Sequence, residues 1–133
     1  MFIRLNLDDD TPIYAQLMQQ IVEGIAGGDL KPGERLPSVR SLAADLGVNL
    51  HTVNKAYTLL QQEGYIRIIR QKGVVVQPAR LPGLDEAYMS SLRRKLRPLI
   101  AEAIARGLDR ERFAETAEGI YRQIIGHGEV DPT

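Results

Sequence analysis

The sequence contains no cysteine, and its two histidines, His51 and His127, lie far apart along the chain. The lack of cysteine excludes disulfides, thiolate metal ligands and thiol redox chemistry, and the two histidines show no metal-ligand spacing. No apolar run approaches the roughly 20 residues that span a bilayer, and the amino terminus has neither the apolar core nor the cleavage pattern of a signal peptide. The sequence therefore predicts a soluble cytoplasmic protein without a metal or a cofactor.

The chain also lacks the side-chain combinations that are typical of active sites. It shows no nucleophile paired with a general base, no metal-binding motif and no phosphate-binding loop. The sequence therefore favours a protein that is not an enzyme.

The net charge is zero, but the charges are unevenly distributed. Residues 31–80 carry eight basic and three acidic side chains, whereas residues 1–30 carry one basic and five acidic side chains. Residues 81–133 are close to balance, with eight basic and nine acidic side chains. Charge fluctuates along any chain, but a local excess of lysine and arginine is what phosphate neutralisation requires. The middle of the chain is therefore the expected nucleic-acid-binding segment.

The first part of the chain predicts a strand, a turn and a helix. Residues 2–7 alternate well enough for a short edge strand. Thr11 and Pro12 are typical of a helix start, with the Thr11 hydroxyl as N-cap and Pro12 in the first turn. Apolar residues then recur with helical spacing until Gly27–Gly28 ends the helix.

Residues 36–76 predict two short helices followed by a hairpin. Ser38 caps the first helix, Gly47 permits a sharp turn in the left-handed conformation, and Asn49 caps a second helix of about residues 49–62. Two β-branched runs around a basic turn then read as a hairpin. The side chains expected to face the core of the two helices are Val39, Leu42, Ala43, Leu46, Val53, Ala56, Tyr57 and Leu60.

The region after Gly83 predicts two amphipathic helices that meet near Gly107, the second capped by Asp109. Pro98 is expected to kink the first of them. Two helices cannot bury both apolar faces and remain a stable unit alone, so a second copy of the chain is the expected cover. The alternative is packing against the first domain within one monomer. The predicted dimerisation residues are Leu92, Leu96, Leu99, Ile100, Ile104, Phe113, Ile120 and Ile124.

The predicted fold class is mainly α with a small β-wing, a winged helix-turn-helix, followed by a C-terminal α-helical hairpin. In such domains the second helix of the motif enters the DNA major groove. The predicted domains are a winged helix-turn-helix DNA-binding domain at 1–78, a linker at 79–83, a two-helix dimerisation module at 84–126 and a disordered tail at 127–133.

Several segments of the chain together resemble the GntR family of bacterial transcription regulators. They are Pro12–Tyr14, GDLKPGERLPSVRSLA at 28–43, GVNLHTVNKAYTLLQQEGYI at 47–66 and the two-helix tail, whose short length is similar to the YtrA-type subfamily. The resemblance implies a homodimeric repressor that binds a palindromic operator on double-stranded DNA. It also implies that a transporter operon, often for an ATP-binding-cassette transporter, or a stress-related operon is regulated. No residue pattern identifies a small-molecule effector.

The resemblance further implies which side chains contact DNA. In the two helices and the wing they are Arg40, Asn49, Leu50, His51, Thr52, Asn54, Lys55, Arg70, Gln71, Lys72 and Gly73. Arg40 matches an arginine that reads guanine or phosphate, although a salt bridge to Asp45 is the alternative. Asn54 suits a paired hydrogen bond to adenine, or it lies on a solvated helix face.

The other helix residues each have a structural alternative. Asn49 is first a helix cap, Thr52 binds a phosphate or a local backbone group, and Lys55 binds a phosphate or stays on the surface. Leu50 stands where many family members have arginine or another polar residue, so it touches a thymine methyl or is simply exposed. A protonated His51 that meets a phosphate would make DNA affinity mildly pH-dependent, and an unchanged affinity in His51→Ala would remove that hypothesis.

In the wing, Arg70 and Lys72 are expected to straddle the minor groove or its phosphates, with a solvated hairpin tip as the alternative. Gln71 replaces a glycine that is frequent in the family, whereas Lys72 and Gly73 fit. A second class of function stays open, because winged helices can also bind proteins through the same helix. The zero net charge supports that protein-interaction module, whereas the basic wing and the polar start of the second helix argue against it.

Overall fold

The computed structural model describes residues 3–79 and 81–126, and these contain five helices and a two-stranded sheet. The elements are α1 (Ile13–Ala26), α2 (Val39–Leu46), α3 (Leu50–Gln62), β1 (Ile66–Ile69), β2 (Gly73–Val76), α4 (Glu86–Ala105) and α5 (Arg110–Ile125). The predicted fold class, a winged helix-turn-helix followed by C-terminal helices, is confirmed. The predicted domain boundaries stay predictions, and the tail at 127–133 lies outside the described residues.

The hydrophobic core lies between α1, α2, α3 and the sheet. α1 contributes Leu17 and Ile21, both fully buried, and α2 contributes Leu42 and Ala43. The four predicted core positions of α3 are all buried, so the opposite face of this helix is exposed to solvent. The buried α3 residues are Val53, Ala56, Tyr57 and Leu60.

The predicted caps of the helix-turn-helix are present. The Ser38 hydroxyl oxygen accepts a hydrogen bond from the Ser41 N–H at 3.1 Å, and the Asn49 side-chain oxygen accepts one from the His51 N–H at 2.7 Å. Gly47 has φ +67°, a left-handed conformation that side-chain-bearing residues rarely adopt. These three residues fix the angle at which α3 leaves α2.

The wing is tied to the loop that precedes α2. β1 and β2 are antiparallel, with Ile66 opposite Val76 and Ile69 opposite Gly73. On the other side of β2, Arg35 forms a single antiparallel bridge with Val75. The chain around that bridge is bonded as well, since the backbone of β2 donates to Glu34 and accepts from Leu36. β2 is therefore bonded along both of its edges, to β1 on one side and to residues 34–36 on the other.

Two predictions at the amino terminus are wrong. Pro12, rather than Thr11, occupies the cap of α1, and the Thr11 N–H is instead held by the Asp9 carboxylate at 3.0 Å. Residues 3–7 form no strand, because their backbone bonds to side chains of α1 instead of to a neighbouring strand. The Gln16 amide accepts from the Asn6 N–H at 2.8 Å and donates to the Asn6 carbonyl at 2.9 Å.

Gln20 repeats this clamp one helical turn later. Its side-chain oxygen accepts from the Arg4 N–H at 2.8 Å, and its amide group donates to the Arg4 carbonyl. Amide side chains thus provide the donors and acceptors that an adjacent strand would supply.

The C-terminal region contacts the winged domain at two places, one just before α4 and one near the end of α5. α5 contacts α1, and a β-carbon added at Gly27 would lie only 2.5 Å from the Ile124 carbonyl oxygen. The segment before α4 passes close to Gly64, where an added β-carbon would lie 3.3 Å from Pro82. The helices therefore pack back on the first domain in part.

Most of the apolar surface of α4 and α5 nevertheless remains uncovered. Both helices are described in full, and neither has a buried residue. Leu99 and Ile104 on α4 are 61% and 69% exposed, and Ile120 on α5 is 51% exposed. Asp109 caps α5 as predicted, accepting from the Arg112 N–H at 2.8 Å.

Candidate DNA-binding interface

The start of α3 presents a continuous outer face of mostly polar side chains. Leu50, His51 and Asn54 are exposed, and Leu50 is 39% exposed although it is apolar. Thr52 is half-buried, and within the described residues its hydroxyl makes no hydrogen bond, so the alternative of a local backbone bond is not observed. This face carries donors and acceptors that are available to a ligand.

Asn49 serves as the cap of α3 through one side of its amide only. The oxygen accepts the His51 N–H, whereas the NH₂ group has no hydrogen-bond partner in the part of the chain that the structure describes. The cap and a contact to DNA are therefore compatible, since they use different atoms of one side chain.

Arg40 is exposed in the first turn of α2, two residues after the Ser38 cap. Across residues 3–79 and 81–126 its guanidinium forms no ion pair, so the alternative salt bridge to Asp45 is not seen. The five N–H donors of this group are arranged as a planar fork that suits the O6 and N7 acceptors of guanine.

The ammonium group of Lys55 lies over an aromatic ring of α1. Its Nζ is 4.0 Å from the centroid of the Tyr14 ring, which is a cation–π contact. The contact was not predicted, because the two residues are far apart in sequence. It holds Lys55 at the side of α3 that adjoins the start of α1.

The wing turn is exposed and basic, as predicted. Arg70, Gln71 and Lys72 are all exposed, and Gly73 has φ +82°, the left-handed conformation that closes the turn. The Lys72 N–H donates to the Ile69 carbonyl at 3.0 Å across that turn. The two cations of the turn, Arg70 and Lys72, therefore project from one tight hairpin.

The cations of this surface are not neutralised by carboxylates. Three ion pairs lie on the C-terminal helices and at the end of α4: Arg93 with Glu86, Arg106 with Glu102, and Arg122 with Glu118. Within residues 3–79 and 81–126, the basic side chains of α2, α3 and the wing form no ion pair, so their charge is available to phosphates. These side chains are Arg40, Lys55, Arg67, Arg70 and Lys72.

Tyr57 links the core to this surface. Its hydroxyl donates to the Pro37 carbonyl at 2.7 Å, which fixes the chain just before the Ser38 cap. Burial raises the pKa of the Tyr57 hydroxyl above its usual value. The sequence predicted Tyr57 only as a core residue, because its helical spacing marks burial and says nothing about the hydroxyl.

A family model described as bacterial regulatory proteins, gntR family, matches residues 13–76, which span α1 to the wing. A curated relative, the HTH-type transcriptional repressor YtrA of Bacillus subtilis strain 168, is 36% identical over 124 residues. That match covers 93% of this chain and 95% of the relative. The chain belongs to the GntR family. It is a transcription regulator and not an enzyme.

Solved structures support the assignment of this GntR regulator. A protein of Listeria monocytogenes EGD-e described as a transcriptional antiterminator is 29% identical, with a TM-score of 0.89 over 98% of both chains. YtrA from Sulfolobus acidocaldarius, described as a GntR-family transcription factor, is 44% identical with a TM-score of 0.58. The match to this second structure covers 77% of this chain and 97% of the Sulfolobus chain. The first of these structures has a similar fold throughout, C-terminal helices included.

The predicted dimerisation residues of this GntR regulator all lie on α4 and α5, and none of them is buried. Leu92, Leu96, Phe113 and Ile124 are half-buried, whereas Leu99, Ile100, Ile104 and Ile120 are exposed. Within the described ranges, no helix is long and apolar enough to cross a membrane.

Proposed function

We propose that this GntR protein is a homodimeric repressor that reads a palindromic operator, with α3 in the major groove and residues 70–73 at the minor groove. The observation that carries the proposal is the exposed polar start of α3, flanked on α2 and the wing by cations that have no carboxylate partner among the described residues. A major groove about 12 Å wide admits one helix, and its base edges present the donors and acceptors that arginine and asparagine pair with.

The proposal divides the surface into two kinds of contact. Arg40 and Asn54 read base edges, and Leu50 meets a thymine methyl. Thr52, His51 and the NH₂ group of Asn49 lie beside them at the start of α3 and contact bases or phosphates. The contacts to phosphates or to the minor groove come from Lys55, Arg70, Gln71, Lys72 and the Gly73 backbone.

The dimer follows from the uncovered apolar residues of α4 and α5, which a second copy would remove from water. A two-fold dimer places its two recognition helices on half-sites about one helical turn, or a multiple of it, apart. The name of the Bacillus subtilis relative supports repression. We further propose that the protein acts in the cytoplasm on a transporter or stress-related operon.

The test is selection of bound duplexes from a random library by the purified protein at near-physiological salt. A two-fold symmetric motif is the expected result. Recovery of unrelated sequences that are lost on modest added salt would show phosphate attraction alone, and would move a protein-interaction module ahead of the operator proposal.

Arg40→Ala and Lys72→Ala separate base reading from phosphate binding on the selected site. Because Arg40 is assigned to a base, Arg40→Ala should weaken the free energy of binding to the operator by about 1–3 kcal/mol and that of binding to random DNA by much less. Because Lys72 is assigned to a phosphate, its loss should weaken all duplexes alike and reduce the salt slope by about one. Fluorescence anisotropy titrations at several salt concentrations measure both, and equal losses on both DNAs for Arg40→Ala would contradict its assignment.

A further inference from the structure

The side chain of Arg35 reaches from the loop before α2 to the tip of the wing. Its Nε donates a hydrogen bond to the Lys72 carbonyl oxygen at 2.8 Å, and the two residues are 37 positions apart in sequence. The wing turn is also closed by the bond from the Lys72 N–H to the Ile69 carbonyl at 3.0 Å and by the pairing of Ile69 with Gly73 at the end of the ladder. One guanidinium therefore joins the turn to the body of the winged domain.

The backbone of Arg35 is fixed at the opposite edge of the wing from β1. Arg35 and Arg67 both lie opposite Val75, one on each side of β2. Directly opposite residues of antiparallel strands project on the same face, so the two arginines flank Val75. Val75 is only 2% exposed and is not part of the main core cluster, so we infer that the aliphatic stems of its two neighbours cover it.

A two-stranded hairpin by itself is at best marginally stable in water. The wing carries Arg70 and Lys72 on its turn, and their distance from DNA depends on where that turn is held. A brace from Arg35 keeps the turn at a fixed place relative to α2, so that its cations meet the duplex without a cost in ordering.

We propose that Arg35 is a positioning residue of the DNA-binding surface: the hydrogen bond from its Nε to the Lys72 carbonyl holds the wing at the duplex. The inference rests on the proposed DNA-binding function and assigns Arg35 no contact to a base or a phosphate. The bond uses Nε alone, so a neutral N–H donor at the same place can test whether the brace requires the hydrogen bond or the positive charge.

Two substitutions separate the bond from the charge. Arg35→Gln removes the charge but keeps an N–H donor, Nε2, the same number of bonds from Cα as the arginine Nε. Arg35→Met keeps an unbranched stem over Val75 and removes both the donor and the charge. Arg67→Met is the matched control, because Arg67 also flanks Val75 but makes no hydrogen bond to the wing turn in the described residues.

The first measurement is amide hydrogen exchange by NMR on the full-length protein without DNA. The Lys72 amide should exchange about tenfold faster in Arg35→Met, since the turn opens when one hydrogen bond is lost. Its rate should stay within about twofold of wild type in Arg35→Gln and in Arg67→Met. Unchanged exchange in Arg35→Met would overturn the brace.

The second measurement is affinity for the selected operator and its salt dependence. Arg35→Met should bind about tenfold more weakly, and Arg35→Gln should stay within about twofold of wild type with the same salt slope. Equal losses in both variants with a reduced salt slope would overturn the proposal in favour of a direct phosphate contact. A wild-type chain that selects no duplex would overturn the proposed function instead, and the exchange rates would still decide whether Arg35 braces the turn.

Discussion

Among single residues, Tyr57 shows how one atom can serve both the core and the reading surface. Its ring is 1% exposed at the centre of the core, and its hydroxyl holds the Pro37 carbonyl at the entrance to α2. A phenolate could neither donate that bond nor be solvated there, so the folded protein favours the neutral form. Tyr57 therefore couples stability to pH in the alkaline range.

The expected result is a loss of stability above about pH 10, the ordinary pKa of tyrosine in the unfolded chain. Since the folded-state pKa of Tyr57 is raised, its contribution is fully present below that pH and is lost as the pH rises towards the folded-state value. Between about pH 10 and 11, wild type should lose about 1 kcal/mol more of its unfolding free energy than Tyr57→Phe. Urea denaturation of both proteins from pH 8 to 11 measures this, and parallel declines would refute the coupling.

How far single residues could be predicted depends on the distance to their partners. Ser38 and Asn49 bond to amides two or three positions ahead, and the conformation of Gly47 follows from its place in the turn, so the sequence predicted all three. The contacts of Arg35 with Lys72 and of Lys55 with Tyr14 join distant parts of the chain. No local pattern marks such pairs, because only the tertiary fold brings them together.

For the helices and strands, the start of α3 is where stability and recognition overlap. Asn49 caps the helix with its oxygen and offers its NH₂ group to DNA, so a change to alanine would confound the two roles. Serine retains an oxygen able to cap and lacks the amide.

Asn49→Ala should therefore lower the unfolding free energy by about 1 kcal/mol, whereas Asn49→Ser should stay within a few tenths of wild type. On the selected operator, both variants should lose affinity if the NH₂ group contacts DNA. Chemical denaturation and operator titrations of the two variants supply the numbers. Wild-type affinity in Asn49→Ser would restrict Asn49 to its role as a cap.

Helices were better predicted than the N-terminal strand for a physical reason. A helix satisfies its backbone within one segment, so the periodicity of α1, α4 and α5 was sufficient. A strand needs a neighbour, and the alternation of residues 2–7 gave no information about one. In the structure Gln16 and Gln20 bind that backbone through their amides, which is why residues 3–7 stay outside any sheet.

In the whole molecule, α4 and α5 are where the sequence pattern and the packing differ most. The sequence gives each helix an apolar face, but neither helix has a buried residue. The alternative of packing against the first domain is met in part, since α5 contacts α1, whereas most of the apolar side chains stay exposed and cover by a second copy stays a prediction. The sequence could predict the apolar face but not the site where α5 docks. That site depends on a backbone approach at Gly27, which has no side-chain signature.

The proposed dimer can be tested with two variants, one that places a charge on the apolar face of α4 and α5 and one that places a charge elsewhere. Ile104→Glu puts a carboxylate among the predicted dimerisation residues, at a position that is 69% exposed in the single chain. Leu7→Glu introduces the same change at a position that is 76% exposed and remote in sequence from the C-terminal helices. We expect Ile104→Glu to be a monomer and Leu7→Glu to stay dimeric, because burying an unpaired charge is costly.

Sedimentation equilibrium of the wild type and both variants decides between the outcomes. A monomeric wild type, or a dimer that tolerates Ile104→Glu, would argue against this face as the interface. Circular dichroism melting of each variant shows whether the winged domain stays folded, since Ile104 contributes nothing to its buried core.

The close approaches at Gly64 and Gly27 mean that α4 and α5 form a bracket, anchored to the winged domain near both of its ends. The 20 residues of α4 make its long arm about 30 Å. In the proposed dimer, the gap between half-sites would be set by this bracket, and the bases within each half-site by α3. Relatives that share the DNA-contacting residues of α3 but differ in α4 and α5 should then recognise the same half-site sequence with a different spacing between the half-sites.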